Sequence, residues 1–157
     1  MTDFASAFHT GFLVRDVQQA MQTYGDALGL EWAEPAHLRD QPFWTPDQGM
    51  IELDLEVTYS LAGPHYVEIQ RGPPGTFYDP AASGAHHVGL WCDDLPTEVS
   101  RLEAQGWQTC IAHTAPEDGF GLFVYLRPPV TGLLVELVNP AFRPILMAWL
   151  AGEASLG

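Results

Sequence analysis

Two histidines and two glutamates occupy matching places in the two parts of this 157-residue sequence: His9 and Glu68 in the first, His87 and Glu136 in the second. Two imidazoles and two carboxylates suit a borderline divalent ion such as Zn²⁺, Ni²⁺, Co²⁺ or Mn²⁺. Glu136 lies in the apolar run LVELV, where a carboxylate is costly unless it is paired or bound to a metal. We therefore predict one divalent metal ion held by all four residues, with Glu136 or Glu68 moving a proton in catalysis.

The match between the two parts extends along the segments HTGFLVRD and HHVGLWCDD. When the segments are superposed, three positions coincide: His9, Gly11 and Asp16 fall on His87, Gly89 and Asp94. The segments HYVEIQ and LLVELV end the two parts, with Glu68 over Glu136. Because His86 has no counterpart in this internal repeat, we predict that His87, and not His86, is the metal ligand.

Each part of the repeat has the pattern strand, helix, strand, strand, strand. Apolar residues recur at helical intervals after Asp16 and after Asp94, and MIELDLEVTYS alternates apolar and polar residues as a strand does. We predict an α+β fold with a first βαβββ module at residues 1–72 and a second at residues 86–140. A linker rich in proline, glycine and alanine covers residues 73–85, and a tail with a short helix covers residues 141–157.

The predicted substrate pocket is lined by the side chains that share strand parity with the four candidate ligands: Tyr66, Trp91, Leu13 and Val138. None of these side chains neutralises an anion, and the chain has no lysine and only six dispersed arginines. Burying an unpaired phosphate or carboxylate there would cost on the order of several kcal/mol. We therefore predict a small apolar or aromatic substrate with adjacent oxygens, and weak binding of glutathione or coenzyme A adducts.

The charge balance excludes two classes of partner. The formal net charge of −14 repels nucleic-acid phosphates and anionic lipid headgroups, so we predict no nucleic-acid partner and no membrane partner.

The N-terminal segment MTDFASAFHT lacks the basic and apolar regions of a signal peptide. Two cysteines without metal or disulfide spacing fit a reducing compartment, so we predict a cytoplasmic protein.

The C-terminal segment PAFRPILMAWLAG is too short to cross a membrane but strongly apolar. A helix there carries more apolar surface than an isolated tail should expose, through Phe142, Ile145, Leu146, Trp149 and Leu150. We predict that this surface forms a homodimer interface. The alternative is that the tail folds back on its own chain.

Four segments resemble the vicinal oxygen chelate superfamily: FHTGFLVRDVQQAMQTYGDALGL, YVEIQ, HHVGLWCDDL and PPVTGLLVELVNP. This superfamily includes glyoxalase I, methylmalonyl-CoA epimerase, extradiol dioxygenases, and the fosfomycin and bleomycin resistance proteins. The resemblance implies two tandem βαβββ modules whose curved mixed sheet encloses a metal cavity. It also implies ligands on the first and last strands of each module, where this sequence has His9, Glu68, His87 and Glu136.

The resemblance leaves three functional hypotheses. The first is a metal-dependent lyase or isomerase that transfers a proton next to a metal-bound substrate oxygen, since the ligand set looks like that of bacterial glyoxalase I. The second is an Fe(II)-dependent dioxygenase, although such enzymes typically bind iron through two histidines and one glutamate, and Glu68 adds a fourth ligand. The third is a non-catalytic binding protein of the antibiotic-resistance type, whose members are acidic like this chain.

Overall fold

A computed structural model describes residues 1–83, 86–130, 132–154 and 156 of the chain. Within them the α-helices and β-strands, in chain order, are β1 (Ala7–Leu13), α1 (Val17–Leu28), β2 (Ala36–Thr45), β3 (Gly49–Tyr59), β4 (Tyr66–Arg71), α2 (Pro80–Ser83), β5 (His86–Trp91), α3 (Leu95–Glu103), β6 (Gln108–Ala112), β7 (Phe123–Arg127), β8 (Leu134–Val138) and α4 (Arg143–Leu150). The last two residues of the predicted linker and the side chain of His86 lie outside the described part.

The strands form one closed barrel in the order β1-β4-β3-β2-β6-β7-β8-β5. The first and last strands of each module pair in parallel, β1 with β4 and β5 with β8. The other neighbours are antiparallel, including β1 with β5, which joins the two modules. This architecture confirms the predicted α+β class and the curved mixed sheet.

The two repeated aspartates begin the helices that follow β1 and β5. Asp16 caps α1 by accepting a hydrogen bond from the backbone N–H of Gln19, and Asp94 caps α3 by accepting one from Thr97. Helix α1 ends at Gly29, whose φ of 69° gives the left-handed conformation that glycine adopts readily. The repeat therefore preserves the aspartate cap that starts a helix after the first strand of each module.

The C-terminal tail folds back on its own chain. Leu146 and Trp149 of α4 are buried, and they pack with Phe8, Tyr59 and Val138 in one apolar cluster. The indole N–H of Trp149 also donates to the backbone carbonyl of residue 34. This packing accounts within one chain for much of the apolar surface from which the homodimer was predicted.

In the described residues, no helix is both long enough and apolar enough to cross a membrane.

Candidate metal centre and cavity

The four predicted ligands meet inside the barrel. His9, Glu68, His87 and Glu136 are all buried, and each offers one ligand atom within 4.8 Å of the other three. The Nε2 atoms of the two histidines are 2.9 Å apart. Their distances to the nearest glutamate oxygens are 3.4 and 3.1 Å from His9, and 2.9 and 3.6 Å from His87. Two modules that are far apart in sequence therefore supply one compact site.

The strand register explains how the histidine rings reach each other. Gly11 pairs with His87, and Gly89 pairs with His9, across the antiparallel β1–β5 junction. A Cβ atom on either glycine would lie 1.9 Å from Cε1 of the opposite histidine ring. Each ring therefore occupies the space above the glycine of the neighbouring strand. In both modules a glycine follows the histidine by two residues, so each strand supplies one histidine and the space for the other.

The donor set fits a cation. Ligand atoms at about 2.0–2.1 Å from a tetrahedral ion are separated by about 3.3 Å, close to the separations found among these four side chains. In the described part of the chain, Oε2 of Glu68 is buried and has no hydrogen-bond partner, although both imidazole Nε2 atoms face it. Two carboxylates and two facing ring nitrogens require positive charge between them, from a proton or from a metal ion.

The pKa shifts show the same demand for positive charge. Burial lowers the pKa of His9, but the facing carboxylates of Glu136 and Glu68 outweigh burial and raise it to about 9. Burial raises the pKa of Glu68, but the His87 and His9 side chains outweigh burial and hold it well below its usual range. Without a metal, the site thus holds a proton on His9 at neutral pH, and a divalent cation would compete with that proton.

Two tyrosines repeat the internal symmetry beside the ligands. Tyr59 pairs with Glu68 across β3 and β4, and Tyr125 pairs with Glu136 across β7 and β8. The ring of Tyr59 packs edge-on against His9, and the ring of Tyr125 packs edge-on against His87. Burial, followed by the nearby carboxylate charges, raises the pKa of both tyrosines well above 10, so both hydroxyls stay protonated.

Gln70 anchors one of the two carboxylates. Its side-chain Nε2 donates to Oε1 of Glu68 at 3.0 Å and lies 3.4 Å from the hydroxyl of Tyr125. In the described part of the chain, the contacts of the Glu136 carboxylate are with the two histidine rings. Glu68 is therefore fixed by a hydrogen bond from within its own strand, whereas Glu136 is free of such an anchor.

A cavity of about 260 Å³ opens over this cluster, and Glu68 and Glu136 form part of its wall. Its other lining residues are Leu38, Gln41, Pro42, Phe43, Leu55, Val57, Tyr59, Gln70, Tyr78, His113, Leu122, Phe123, Tyr125, Val138, Phe142, Ile145 and Leu156. Among the described residues no arginine lines the cavity, so its wall is apolar and aromatic with a few neutral polar groups.

One of those polar groups is His113. Its Nδ1 accepts a hydrogen bond from the backbone N–H of Leu122 at 3.1 Å, and its ring stacks on Phe123. A backbone N–H can only donate, so the neutral ring must carry its proton on Nε2. Partial burial lowers the pKa of His113, which favours this neutral form. The cavity wall thus includes a hydrogen-bond donor without net charge.

Of the four residues predicted to line the pocket, Val138 lines this cavity and the other three do not. Tyr66 lies at the start of β4 with its ring over Gly63, and Trp91 stacks on Phe8 at the end of β5. Leu13, at the end of β1, packs on the apolar cluster that contains Phe43 and Tyr78. These three side chains stand at strand ends, where they pack against neighbouring segments and do not line the cavity.

The cavity residues that sequence reasoning did not assign include four with polar side chains: Tyr59, Gln70, His113 and Tyr125. A signal existed for three of them. Gln70 shares a strand face with Glu68, and the two tyrosines beside the ligands lie on the corresponding third strands of the two modules. His113 follows β6, and no pattern in the sequence places it in the cavity wall.

The family model of the Glyoxalase/Bleomycin resistance protein/Dioxygenase superfamily matches residues 8–125. The chain belongs to this superfamily. The match confirms the resemblance to the vicinal oxygen chelate proteins, and it runs from β1 into β7. A search of curated protein sequences found no significant match.

Solved structures with a similar fold include two methylmalonyl-CoA epimerases and a 4-hydroxymandelate synthase. Methylmalonyl-CoA epimerase from Mycobacterium tuberculosis superposes with a TM-score of 0.58 at 16% identity, covering 90% of this chain and 91% of that chain. A variant of the Streptomyces coelicolor enzyme in complex with 2-nitronate-propionyl-CoA gives 0.56 at 16%, covering 85% and 93%. A mutant of 4-hydroxymandelate synthase from Streptomyces coelicolor gives 0.54 at 11%, covering 85% and 47%. At these identities, the superpositions show the shared fold.

Proposed function

We propose that the chain is a divalent-metal-dependent lyase or isomerase acting on a small apolar or aromatic carbonyl compound. The observation that carries the proposal is the position of the ligand cluster. Two imidazoles and two carboxylates meet beside a largely apolar and aromatic cavity, and the two carboxylates form part of its wall. A substrate oxygen entering this cavity would therefore meet the metal site directly.

In this proposal His9, Glu68, His87 and Glu136 hold the ion. A divalent cation at such a site supplies Lewis acidity, which polarises a substrate carbonyl and makes the neighbouring carbon–hydrogen bond more acidic. Membership of a superfamily in which such chemistry occurs supports this assignment, and so does the positive charge that the four side chains demand. The identity of the ion is left to metal analysis, with zinc, nickel, cobalt, manganese and iron as the candidates.

The two carboxylates take different roles in the proposed reaction. Glu68 is held by the amide of Gln70, so it acts as a fixed ligand. Glu136 has no such anchor and also faces the cavity, so its carboxylate is the better group to accept a proton from the substrate carbon and return it. The hydroxyls of Tyr59 and Tyr125 stay protonated and can donate to a substrate oxygen.

The cavity wall supports the proposed substrate class. A volume of about 260 Å³ suits a compound with one small ring or branched chain. The aromatic and aliphatic wall favours an apolar body, and no arginine in the described part of the wall is available to pair with a phosphate or carboxylate. We therefore expect aromatic hydroxy-ketones and diketones to bind more tightly than coenzyme A or glutathione adducts.

The test combines metal analysis with assays of proton exchange and oxygen uptake on the purified, metal-loaded protein. Proton NMR in D₂O follows deuterium exchange at the carbon next to the carbonyl of phenacyl alcohol, an aromatic hydroxy-ketone. We expect exchange, and we expect Glu136→Gln to slow it by about 100-fold or more while the protein keeps its metal. The control Glu52→Gln makes the same chemical change at an exposed position of β3 and leaves the exchange rate unchanged.

The same experiments separate the other two hypotheses. Bound iron with substrate-dependent oxygen uptake and no proton exchange would favour the dioxygenase. Ligand binding with no bound metal and no exchange would favour a non-catalytic binding protein. Exchange that persists in Glu136→Gln would contradict the role proposed for this carboxylate.

A further inference from the structure

A single amide distinguishes the two carboxylates of the ligand cluster. Gln70 follows Glu68 by two residues on β4, so the two side chains share one face of the strand. Nε2 of Gln70 donates to Oε1 of Glu68 at 3.0 Å, and both residues are buried. The amide nitrogen must face the carboxylate, because an ionised carboxylate only accepts hydrogen bonds. A hydrogen bond to an ionised group, made away from water, holds that carboxylate in one orientation.

This hydrogen bond leaves one oxygen of Glu68 for the metal site. Oε2 lies 2.9 Å from Nε2 of His87 and 3.4 Å from Nε2 of His9. Within the described part of the chain, this oxygen is buried and has no hydrogen-bond partner, whereas Oε1 is turned towards the amide. A cation placed between the ring nitrogens therefore meets one oxygen of this carboxylate. Presenting both oxygens would require the carboxylate to turn and give up its hydrogen bond from Gln70.

The second module lacks this anchor. Val138 follows Glu136 by two residues on β8 and so takes the place that Gln70 has on β4. A valine side chain has no hydrogen-bond donor. Among the described residues, the carboxylate of Glu136 contacts the two histidine rings and accepts no hydrogen bond from its own strand. Two equivalent carboxylates therefore differ in their freedom to turn, and the difference traces to one pair of equivalent positions.

We propose that Gln70 is a positioning residue that restricts Glu68 to binding the metal ion through one oxygen, and that Val138 leaves the Glu136 carboxylate free to turn. The part that concerns Glu136 rests on the proposed function and assigns its division of roles to the Gln70 and Val138 pair. Because these two positions are equivalent, the restraint is transferable. Val138→Gln offers Glu136 the donor, at the same spacing, that Glu68 has from Gln70.

The first test concerns the metal alone and needs no substrate. Gln70→Met keeps a side chain of similar length and removes the donor, so metal affinity in competition with a chelator should fall by about 10- to 100-fold. Infrared difference spectra between metal-saturated and metal-free protein report how the carboxylates bind. The separation of their two stretching bands narrows when a carboxylate binds through both oxygens, and we expect a narrower separation in Gln70→Met than in the wild type.

The control for this test is Gln108→Met, which makes the same change at an exposed strand position and keeps wild-type affinity and band separation. A loss of packing alone lowers metal affinity, but it does not convert a carboxylate from one-oxygen to two-oxygen binding. An unchanged band separation in metal-saturated Gln70→Met would therefore overturn the proposal, whatever its affinity.

The second test transfers the restraint to the other carboxylate. At full metal occupancy, Val138→Gln should exchange the proton of phenacyl alcohol at least about 10-fold more slowly than Val138→Met. Methionine adds a side chain of similar size without a donor, so this comparison controls for the space lost from the cavity. Equal exchange rates in the two variants would overturn the proposal.

The two tests cover each other. If Gln70→Met binds too little metal for the infrared measurement, the comparison of the two Val138 variants decides. Absent proton exchange in the wild type would contradict the proposed function, and the infrared measurement would then decide the role of Gln70 without it.

Discussion

The glycine opposite each proposed ligand histidine leads to a prediction about metal affinity. In Gly89→Ala the new Cβ would lie 1.9 Å from Cε1 of His9. An ordinary carbon–carbon contact is about 3.5 Å, so the ring must move by about 1.6 Å. Metal–ligand distances tolerate deviations of only about 0.2 Å, so the displaced ring can no longer serve the same ion. Gly89→Ala should therefore weaken metal binding even though it changes no ligand.

The expected loss follows from what a displaced ligand costs. Disturbing a group that merely orients a ligand lowers metal affinity by about 10- to 100-fold, so moving the ligand itself should cost about 100-fold or more, or about 2.8 kcal/mol. Forcing a methyl group into the filled space should also lower the free energy of unfolding of the metal-free protein by about 1–3 kcal/mol. In Gly11→Ala the new Cβ clashes with the His87 ring in the same way, so we expect similar losses of metal affinity and stability.

The assay is competitive metal titration with a chelator of known affinity, together with thermal unfolding of the metal-free protein. Gly25→Ala is the control, because it makes the same substitution in α1, away from the site. His9→Ala supplies the second comparison, since removing the ring removes the clash. Gly89→Ala should then destabilise the His9→Ala protein much less than the wild type. Two results would refute this reasoning. The first is wild-type metal affinity in Gly89→Ala, and the second is an additive loss of stability when Gly89→Ala is combined with His9→Ala.

Three further predictions concern pH, tautomer and assembly. Because the pKa of His9 is raised, its protonation stabilises the metal-free fold fully below pH 6.5, and this stabilisation is lost as pH rises through about 9. Because the pKa of Glu68 is lowered, its ionisation stabilises the metal-free fold above pH 4.5. Thermal unfolding should therefore show maximal stability of the metal-free protein between about pH 4.5 and 6.5. A melting temperature that climbs from pH 6.5 to 9 would contradict this. Nitrogen NMR of His113 should show a neutral ring with the proton on Nε2 and a pKa below 6.5, and a proton on Nδ1 would exclude the hydrogen bond from Leu122. Light scattering at micromolar concentration tests the predicted homodimer, and a monomeric mass would show that the intramolecular packing of α4 is sufficient.

The local elements were predictable because their signals are short-range. Asp16 and Asp94 mark the helix starts through hydrogen bonds to residues three positions ahead, and the alternation of MIELDLEVTYS follows from the two-residue period of a strand. The internal repeat aligned the ligand histidines and glutamates in pairs, since equivalent positions in duplicated modules keep equivalent places in the fold.

The sequence alone therefore determined the duplicated βαβββ pattern, the overall fold class and the four residues that could meet at one site. The tertiary structure decided where the remaining side chains go, because that depends on contacts between distant segments. Tyr66 and Trp91 share the face predicted for the pocket, yet packing at the strand ends takes them elsewhere. Only the closure of the barrel brings Gln70, on β4, beside Tyr125, on β7. Strand parity fixes the face on which a side chain stands, whereas its neighbours across the cavity are set by how the two modules close on each other.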